Sequence, residues 1–554
     1  MKNRKRVLVT AGLPYSNGRL HVGHIAGAYL PSDIYVRFLK LQKVPTLYIC
    51  GSDDHGVAIM LAAEKEGKTP QEVATYYNQK QHQAFSGLGI NFDIYSSTST
   101  NKYHYQTSQE FFKTLHSKGF FEKQVTKQFF DDSRSMFLPD RFVKGTCGFC
   151  GTKEQNGDQC ESCGKMLDVD TLKDALSIFS NTPASIKETS HWFLDLSQFD
   201  QNVKDWLATA KLREHSRSYV NGLLSTGLVK RSMTRDISWG IPVPLEDPEA
   251  KGKVLYVWFD APIGYVSNTM EVCEERFGAK QDYEKWWKGA DSEIYHFIGE
   301  DNTVFHCVIW IAMLKAEGSF NLPNGVIVNQ YLNIKFPGKE EEKISKSRGT
   351  AVWIEDYLAD GGNPDSLRYY LTSIAPERAR SAYQPEDLIQ RHNSELANVL
   401  GNFVNRVISF TINNYGPEIP VISEDKLNDF DKIFNAQFLA THSKLTELLE
   451  NFSFKAALES IMEFARICNK YIDDQAPWIS KKTDAERTKT TMAYGLNAIH
   501  ALAVWLSPFL PFTAEKIAHM LNLDATSIVW EDALRPQQSG SKINAPVILF
   551  EKIK

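Results

Sequence analysis

The sequence of 554 residues contains no unbroken apolar run of about 18 residues, the minimum for a membrane-spanning helix. We also expect no secretory leader, because the apolar stretch that follows the basic start is soon broken by Gly12 and Pro14. No internal repeat or low-complexity segment is present. We therefore expect a cytoplasmic, globular protein of about three to five domains, at roughly 100–200 residues per domain.

An excess of basic charge is absent as well. Lys and Arg total 62, whereas Asp and Glu total 67, and the formal net charge is -5. This balance excludes a protein that coats nucleic acid, so any such contact must depend on local basic patches. Residues 211–235 form one candidate patch, with six basic residues and one acidic residue. A solvated surface explains that run equally well.

Cysteine is scarce and unevenly distributed. Eight are present, and four form a Cys-x2-Cys-x9-Cys-x2-Cys cluster: Cys147, Cys150, Cys160 and Cys163. In a large chain without a leader, paired cysteines at this spacing indicate a metal site rather than disulfides. Four thiolates complete the tetrahedral coordination of Zn²⁺. We therefore expect one structural zinc ion with no open position for catalysis.

The N-terminal region follows a strand, turn, helix, strand pattern. Two apolar runs, 6–10 and 45–50, flank a stretch with helical spacing. This order is typical of a parallel α/β sheet, whose ligands bind at the carboxyl ends of the strands. His21–His24 and Asp53–His55 fall at such ends. Later apolar runs predict three further strands, at 254–259, 294–298 and 325–328.

Two short motifs about 300 residues apart carry candidate chemistry. His21-Val-Gly-His24 places imidazoles at the start of a helix, where the helix dipole favours a phosphate. Lys343-Ile-Ser-Lys-Ser347 places two lysines on a charged loop, where they can neutralise charge on a departing phosphate. Each motif is weak alone, because lysine-rich loops and exposed histidines are common. Together they are much more specific.

The two motifs resemble the HIGH and KMSKS signatures of class I aminoacyl-tRNA synthetases. Within that class the sequence is most similar to the methionyl-tRNA synthetase family, and the resemblance covers essentially the whole chain. Other segments that resemble this family are Thr10–Tyr15, Phe137–Cys147, Thr234–Pro244, Trp258–Tyr265 and Asp474–Trp478.

The resemblance implies an α/β fold class with a Rossmann-type parallel-sheet catalytic domain. An inserted connective domain carries the zinc knuckle, and a C-terminal all-α helical bundle binds the anticodon. Helical spacing beyond Pro385 agrees with this bundle. The expected boundaries are 1–119 and 232–335 for the halves of the catalytic domain, 120–231 for the insertion, 336–384 for the lysine loop and stem-contact region, and 385–554 for the bundle.

The resemblance also implies a two-step ligase reaction. The carboxylate of L-methionine attacks the α-phosphate of ATP, which gives methionyl-adenylate and pyrophosphate. The ribose of the terminal adenosine of tRNA(Met), initiator or elongator, then attacks the adenylate. Such transfers depend on positioning and charge stabilisation, so no covalent nucleophile is needed. Mg²⁺ is expected to accompany ATP. We expect a monomer, or a homodimer if the protein also has the C-terminal dimerising domain of many relatives.

Positions that match the family's motifs imply individual roles. The expected catalytic residues are His21, His24, Lys343 and Lys346, and Gly23 and Ser345 join them in binding ATP. The expected methionine pocket contains Leu13, Tyr15, Asp53, Trp258, Ala261, Pro262, Tyr265 and His306. The expected anticodon readers are Asn402, Arg406 and Trp478. Aromatic faces suit a thioether, one carboxylate suits one ammonium group, and an aromatic ring can stack on an unpaired base.

Three alternatives account for less of the sequence. Synthetases for isoleucine, leucine or valine share both signatures, but they generally carry an editing insertion much larger than 120–231. A non-catalytic tRNA-binding descendant would be expected to have lost part of the catalytic set, which is complete here. A zinc-ribbon protein that binds nucleic acid would explain the cysteine cluster alone.

Overall fold

The structure, a computed structural model, describes residues 6–157, 160, 162, 163, 165, 167–344 and 349–553. Two predicted site residues, Ser345 and Lys346, lie outside the described residues. Within the described ranges, no helix has the length and apolar character needed to cross a membrane.

The described strands are numbered in chain order. They are β1 (Arg6–Ala11), β2 (Thr46–Ser52), β3 (Ile94–Ser97), β4 (Phe121–Asp131), β5 (Met136–Phe137), β6 (Val143–Cys147), β7 (Gln155–Asn156), β8 (Leu172–Ser177), β9 (Ser185–Asp195), β10 (Lys211–Leu212), β11 (Lys230–Ser232), β12 (Thr234–Arg235), β13 (Val254–Leu255), β14 (Ser292–Gly299), β15 (Gly325–Asn329), β16 (Leu332–Ile334), β17 (Glu342–Lys343) and β18 (Ser381–Tyr383).

The helices follow the same convention. They are α1 (Val22–His24), α2 (Leu30–Leu41), α3 (Val57–Glu66), α4 (Pro70–Gly87), α5 (His104–Ser117), α6 (Asp200–Thr209), α7 (Glu214–Thr226), α8 (Val257–Phe277), α9 (Tyr283–Trp287), α10 (Trp310–Glu317), α11 (Ile354–Ala359), α12 (Pro364–Ser373), α13 (Pro385–Arg391), α14 (Asn402–Tyr415), α15 (Asp429–Glu450), α16 (Phe454–Gln475), α17 (Pro477–Ser480), α18 (Ala485–Leu506) and α19 (Pro511–Met520). Three π-helical segments, Ile25–Tyr29, Phe305–Ile309 and His392–Gly401, adjoin α1, α10 and α14.

A six-stranded parallel sheet forms the centre of the catalytic region, in the order β10-β15-β14-β1-β2-β3. Helices cover both faces of this sheet, which is why its central strands are apolar throughout. Val7 and Val9 of β1 pack in a cluster with residues of α2, whereas Leu8 packs with residues of α5 and α8. The strands predicted at 6–10, 45–50, 294–298 and 325–328 are confirmed as β1, β2, β14 and β15.

The strand predicted at 254–259 is wrong. Only Val254–Leu255 is extended, and it pairs antiparallel with β12 outside the parallel sheet. Helix α8 begins at Val257 and buries nearly every residue from Phe259 to Thr269. A short apolar run is compatible with either a buried strand or a buried helix, and periodicity cannot separate the two. The helical outcome places Trp258 in the first turn of α8.

The predicted insertion, residues 120–231, contains two antiparallel sheets. One has the order β11-β9-β4-β5, and the other, β7-β6-β8, carries the first cysteine pair at the end of β6. However, β10 lies within the same stretch and pairs with β15 at the edge of the parallel sheet. The chain therefore returns to the catalytic sheet before the predicted boundary at residue 231. Helices α6 and α7, which flank β10 in the sequence, accompany that strand.

The C-terminal helices from α13 to α19 form the predicted all-α unit, and one buried arginine ties it to the sheet. Arg368 on α12 is fully buried. Its guanidinium group donates to Asp33 Oδ2 on α2 at 2.6 Å, and also to the carbonyl oxygens of Phe509 at 2.7 Å and Pro508 at 2.9 Å. A buried charge is stable only with such a full set of partners. Arg368 thus fixes how the bundle meets the catalytic domain.

Candidate active site

A cavity of about 310 Å³ opens where β1, β14 and β15 end. Ligands of open α/β sheets bind at this edge. The cavity is lined by segments that follow those strands, by the start of α1 and by the end of β17. Seven predicted site residues are part of its lining: Leu13, Tyr15, His21, Gly23, His24, Trp258 and Lys343.

The two histidines at the start of α1 hold each other in place. His21 is the N-cap residue, and its Nδ1 accepts a hydrogen bond from the Gly23 amide at 3.1 Å. His24 Nδ1 accepts one from the His21 amide at 3.0 Å, and the two rings stack with their centroids 3.7 Å apart. Since both Nδ1 atoms are acceptors, each neutral ring carries its proton on Nε2. Both imidazoles are therefore hydrogen-bond donors at the cavity.

Gly23 is the point where the two signature motifs meet. A Cβ at this position would lie 3.0 Å from the His21 ring and 3.2 Å from Cδ1 of Ile344. Both distances are tighter than ordinary van der Waals contact. The absence of a side chain thus lets the lysine loop approach the start of α1. Tertiary structure brings together segments that are more than 300 residues apart in the sequence.

Lys343 lies at the end of β17, which pairs antiparallel with β16. Its side chain is exposed at the cavity, and Nζ lies 4.4 Å from the centre of the Tyr331 ring. A cation at this distance from an aromatic face is held loosely. Lys343 is therefore positioned beside the cavity without being neutralised by the ring.

Tyr15 and Trp258 contribute aromatic side chains to one wall of the cavity, and Phe305 packs against Trp258. The Trp258 ring stacks on the Phe305 ring with a centroid distance of 3.7 Å and an interplanar angle of 5°, and Tyr15 meets Trp258 edge-on at 6.1 Å. Flat aromatic surfaces of this kind favour a polarisable apolar group. Phe305 was not predicted from the sequence.

Tyr265 and His306 form a buried pair behind this wall. The Tyr265 hydroxyl lies 2.8 Å from His306 Nε2, and His306 Nδ1 lies 3.1 Å from the carbonyl oxygen of Asn302. A carbonyl can only accept, so Nδ1 carries the proton and Nε2 accepts from Tyr265. Burial lowers the pKa of His306 to about 4, which keeps this ring neutral at neutral pH.

Asp53 follows β2 and is 2% exposed. Its backbone is paired with the segment after β1: the Asp53 amide donates to the Pro14 carbonyl at 2.9 Å. Its Oδ1 atom is buried and has no hydrogen-bond partner among the described residues. Burial, and then the nearby carboxylates of Asp260 and Asp54, raise the pKa of Asp53 well above its usual value. Such a carboxylate calls for a cationic partner.

Two histidines and a carboxylate lie close to Asp53. His55 Nδ1 is 2.6 Å from Asp260 Oδ2, and His104 Nε2 is 3.7 Å from the same oxygen. All three side chains are at most 1% exposed. The Asp53–His55 segment was singled out in the sequence, but His104 and Asp260 were not. Of these three groups, the Asp260 carboxylate is the one whose negative charge acts on Asp53.

The remaining predicted pocket residues, Ala261 and Pro262, are buried in the first turns of α8, next to Trp258. Sequence reasoning missed the segment Gly299–Asn302, which lines the cavity directly after β14. These residues could have been identified from the predicted strand at 294–298, because residues that follow the carboxyl end of a parallel strand face the ligand.

The four clustered cysteines converge as predicted. Cys147 and Cys163 have Sγ atoms 3.8 Å apart, and Cys150 and Cys160 have theirs 3.6 Å apart. All four ligand atoms lie within 4.8 Å of one another. The edge of a tetrahedron of sulfurs around Zn²⁺ is roughly 3.8 Å, since the Zn–S distance is about 2.3 Å. The group can therefore hold a tetrahedral metal ion.

The predicted anticodon readers lie on the helical bundle, away from the cavity. Asn402 is exposed at the start of α14, and Arg406 Nη1 pairs with Asp473 of α16 at 2.8 Å. Trp478 lies in the short helix α17 and is 42% exposed. Lys481, just after α17, donates to Asn414 of α14 at 3.0 Å, so the two helices are neighbours. Trp478 is thus a surface residue and not part of the bundle core.

Comparison with known proteins identifies the family. A family model described as tRNA synthetases class I (M) matches residues 7–408, which is well over half of the chain. The chain belongs to this family. A second model, the anticodon binding domain of methionyl tRNA ligase, matches residues 423–554 of the synthetase.

Individual relatives agree with this assignment. The synthetase is 43% identical to the methionine–tRNA ligase of Porphyromonas gingivalis, over 99% of this chain and 79% of the relative. It is 44% identical to that of Flavobacterium johnsoniae, over 100% of this chain and 80% of the relative. The structure of Mycobacterium tuberculosis methionyl-tRNA synthetase bound by methionyl-adenylate superposes with a TM-score of 0.81. The superposition covers 99% of this chain and 100% of the Mycobacterium tuberculosis chain, with 24% sequence identity. This likeness supports the fold.

The predicted family and fold class are therefore confirmed. The chain is a class I aminoacyl-tRNA synthetase, a ligase, with a Rossmann-type parallel sheet and a helical C-terminal region. Its similarity to methionine–tRNA ligases, over 99–100% of this chain, removes the alternatives that specify isoleucine, leucine or valine.

Proposed function

We propose that this synthetase activates L-methionine with ATP and then transfers it to initiator and elongator tRNA(Met). One observation carries the proposal. A single cavity combines donors suited to phosphate with an aromatic wall suited to a thioether, and the buried carboxylate of Asp53, whose Oδ1 has no partner among the described residues, lies on the segment whose backbone pairs with Tyr15 of that lining. A small amino acid and a nucleotide that react with each other must occupy adjoining parts of one site.

Methionine is held at both ends in this proposal. Its ammonium group pairs with Asp53, whose Oδ1 otherwise lacks a hydrogen-bond partner among the described residues. Its thioether lies against Leu13, Tyr15 and Trp258, the predicted residues that line the cavity. Ala261, Pro262, Tyr265 and His306 back this pocket. The carboxylate of methionine is then left pointing towards the phosphates.

ATP is bound by the two signature motifs. The Nε2–H groups of His21 and His24 donate to phosphate oxygens, and the start of α1 adds the favourable end of the helix dipole. A methionine carboxylate oxygen attacks the α-phosphorus, and the bond to the β-phosphate bridging oxygen breaks to release pyrophosphate. Lys343 and Lys346 stabilise the negative charge that develops there. Gly23 and Ser345 complete the site, and Mg²⁺ bound with ATP supplies further charge neutralisation.

The second step uses the tRNA. The terminal ribose hydroxyl attacks the adenylate carbonyl, and AMP leaves. At the other end of the tRNA, Asn402, Arg406 and Trp478 read the anticodon by hydrogen bonding and by stacking. The exposed indole of Trp478 and the proximity of α14 to α17 support this assignment. The reaction is proposed to take place in the cytoplasm, with the enzyme as a monomer.

The cysteine cluster is proposed to bind one structural zinc ion. Its sulfur separations fit zinc, and no ligand position is left open for substrate. Cys147 and Cys160 are buried in a small apolar cluster with residues such as Phe142 and Leu172. The metal would thus complete the core of the insertion.

The domain boundaries predicted from the sequence are also proposed for the folded protein, with one change. Strand β10, although it lies within residues 120–231, is assigned to the catalytic sheet.

The test of the proposed function is ATP–pyrophosphate exchange with each of the twenty amino acids in the absence of tRNA. Exchange that depends on methionine alone is the expected result. Exchange with isoleucine, leucine or valine would keep the reaction but overturn the substrate. No exchange with any amino acid, from folded protein loaded with zinc, would overturn the enzymatic proposal itself.

Replacing Trp478 by alanine should separate the two steps. We expect tRNA binding to weaken by roughly 1–3 kcal/mol, the value of one base–aromatic stack. Pyrophosphate exchange should be unchanged, because Trp478 lies on the bundle surface. Ile479→Ala is a matched control, since Ile479 is exposed on the same short helix. Equal loss of exchange and charging in Trp478→Ala would show that Trp478 acts structurally.

Removing one zinc ligand should remove the metal. Purified protein is expected to contain one zinc per chain by mass spectrometry, and Cys147→Ser should contain almost none. The insertion should then become sensitive to proteolysis, because structural zinc contributes directly to folding. Cys468→Ala, which changes a buried cysteine of α16 outside the cluster, should retain its zinc. Metal-free wild type with the same proteolytic resistance would refute the structural role.

A further inference from the structure

A second cavity, of about 670 Å³, lies at the β10 edge of the parallel sheet. It is formed where β10 ends and α7 begins, and its other walls come from residues 377–378 and 451–452. Gln330 connects it to the first cavity, which Gln330 lines. The Gln330 amide donates to the Pro376 carbonyl, and its side chain donates to the Arg378 carbonyl, both at 2.9 Å. One residue of the first cavity's lining is therefore hydrogen-bonded to the segment that lines the second.

The lining of the second cavity has an excess of positive charge. Its cationic side chains are Lys211, Arg213, Arg217 and Arg378, whereas its only carboxylates among the described residues are Glu214 and Glu377. Several of these cations are oriented by backbone carbonyls. Arg213 Nη2 donates to the Phe452 carbonyl at 3.0 Å, and Arg217 Nη2 donates to the Ala210 carbonyl at 2.8 Å. Carbonyl partners fix a cation in position without cancelling its charge.

Two buried polar atoms of this lining lack partners within the described part of the chain. They are Nε of Arg213 and Nε2 of His215. The Arg213 side chain is 12% exposed, and its closest carboxylate oxygen, on Glu377, is 3.7 Å from Nη1. A guanidinium N–H that is buried without an acceptor costs free energy. An anion in the cavity would supply that acceptor.

The backbone points to the same class of ligand. β10 ends at Leu212, Arg213 is the N-cap residue, and α7 begins at Glu214 and runs for 13 residues. No side chain caps this helix, as the Arg213 side chain makes no hydrogen bond to its first turn. A strand that turns directly into an uncapped helix at the carboxyl edge of a parallel sheet is suited to a phosphate group.

We propose that this second cavity binds a backbone phosphate of tRNA close to its 3′ end while the terminal adenosine occupies the first cavity. The proposal rests on the proposed function. A phosphodiester chain fits better than a free anion, because the cavity adjoins the reaction site and Arg378 is exposed between them. In a protein with a net charge of -5, a polyanion needs local positive sites of this kind.

The test variant is Arg378→Glu. Arg378 is exposed, and its side chain has no ion pair or hydrogen bond with any residue that the structure describes, so the fold should tolerate the change. The KM for tRNA in aminoacylation should rise about tenfold or more, as expected for loss of a charge-assisted phosphate contact. The salt dependence of tRNA binding should decrease by about one charge. Pyrophosphate exchange without tRNA should stay within about twofold of wild type.

Arg276→Glu is the matched control. Arg276 is an exposed arginine that pairs with Asp93, next to β3 at the opposite edge of the same sheet. It should leave the KM for tRNA unchanged. Arg213→Lys provides a second variant inside the cavity. This substitution keeps the positive charge but removes the guanidinium group and its buried Nε–H donor. It should therefore raise the KM for tRNA without altering ATP–pyrophosphate exchange.

The outcomes are distinct. An unchanged KM for tRNA in Arg378→Glu would overturn the proposal. A raised KM for ATP or pyrophosphate in the exchange assay would assign the cavity to nucleotide phosphates and would also overturn it. Binding of inorganic phosphate that is lost in Arg378→Glu, with tRNA kinetics unaltered, would mark a free-anion site and contradict a tRNA role. If the wild type charges no tRNA, the proposed function has failed instead.

Discussion

Asp53→Asn is expected to lower methionine-dependent pyrophosphate exchange by about 10²–10³-fold, mainly through the KM for methionine. The Asp53 carboxylate is 2% exposed and Oδ1 has no partner within the described ranges, so in the complex it would pair with the ammonium group in a site without water. Breaking a buried ion pair by removing one partner costs roughly 3–5 kcal/mol. The measurement is the KM for methionine and kcat in the exchange assay.

The same variant should keep or gain thermal stability. Burial and neighbouring carboxylates raise the pKa of Asp53, so the folded state favours its protonated form. The stabilising contribution of that form is present at low pH and is lost as pH rises above the usual aspartate range. Ionisation of Asp53 therefore costs the free enzyme stability, and asparagine, which does not ionise, removes that cost. Methionine binding by the wild type should weaken as pH falls, because protonated Asp53 no longer attracts the ammonium group.

Asp54→Asn is the informative control. Asp54 adjoins Asp53, but its carboxylate accepts hydrogen bonds from Ser52 Oγ at 2.6 Å and from Ser99 Oγ at 2.7 Å. Removing a satisfied buried acceptor should cost about 1–3 kcal/mol of stability. Asp53→Asn should therefore leave the melting temperature unchanged or raise it, whereas Asp54→Asn should lower it. A destabilised Asp53→Asn with a normal KM for methionine would overturn the role of Asp53.

Substitutions of His24 should have the second largest effect and should depend on which nitrogen is replaced. His24 Nδ1 accepts the His21 amide, and Nε2 carries the donor proposed for phosphate. His24→Asn keeps a polar atom near the Nδ1 position and loses the donor at Nε2. We expect its kcat for exchange to fall by about 10²–10³-fold, the usual cost of losing one donor to developing charge.

His24→Gln has the opposite effect on the two nitrogen positions: it replaces the donor at Nε2 and loses the acceptor at Nδ1. Its amide can reach the Nε2 position, so a substantial part of the activity should return although the bond to the His21 amide is lost. The assay is kcat for exchange at saturating ATP and methionine, with melting temperatures measured in parallel. If both variants lose activity equally and in proportion to stability, His24 is only a helix cap.

Several features of the site follow from short stretches of sequence. The reciprocal hydrogen bonds of His21 and His24 span four residues, and each cysteine pair spans one turn. Such local patterns fold into the same geometry wherever they occur, because their partners are close along the chain. For this reason the sequence alone predicted that the four cysteines converge, that His21 and His24 begin a helix, and that β1, β2, β14 and β15 are strands.

Other features needed the tertiary structure, because their partners are distant in the sequence. Within the predicted strand 254–259, residues from Val257 onward became the start of α8, since burial between packed helices outweighed an ambiguous apolar run. β10 left the predicted insertion to pair with β15, a contact more than 100 residues away. The unpaired Oδ1 of Asp53 and the stacking of Phe305 on Trp258 also depend on where separate elements meet. The sequence determined the family and the chemical groups. Long-range packing decided which of these groups share a cavity, because neither burial nor the absence of a hydrogen-bond partner can be read from local sequence.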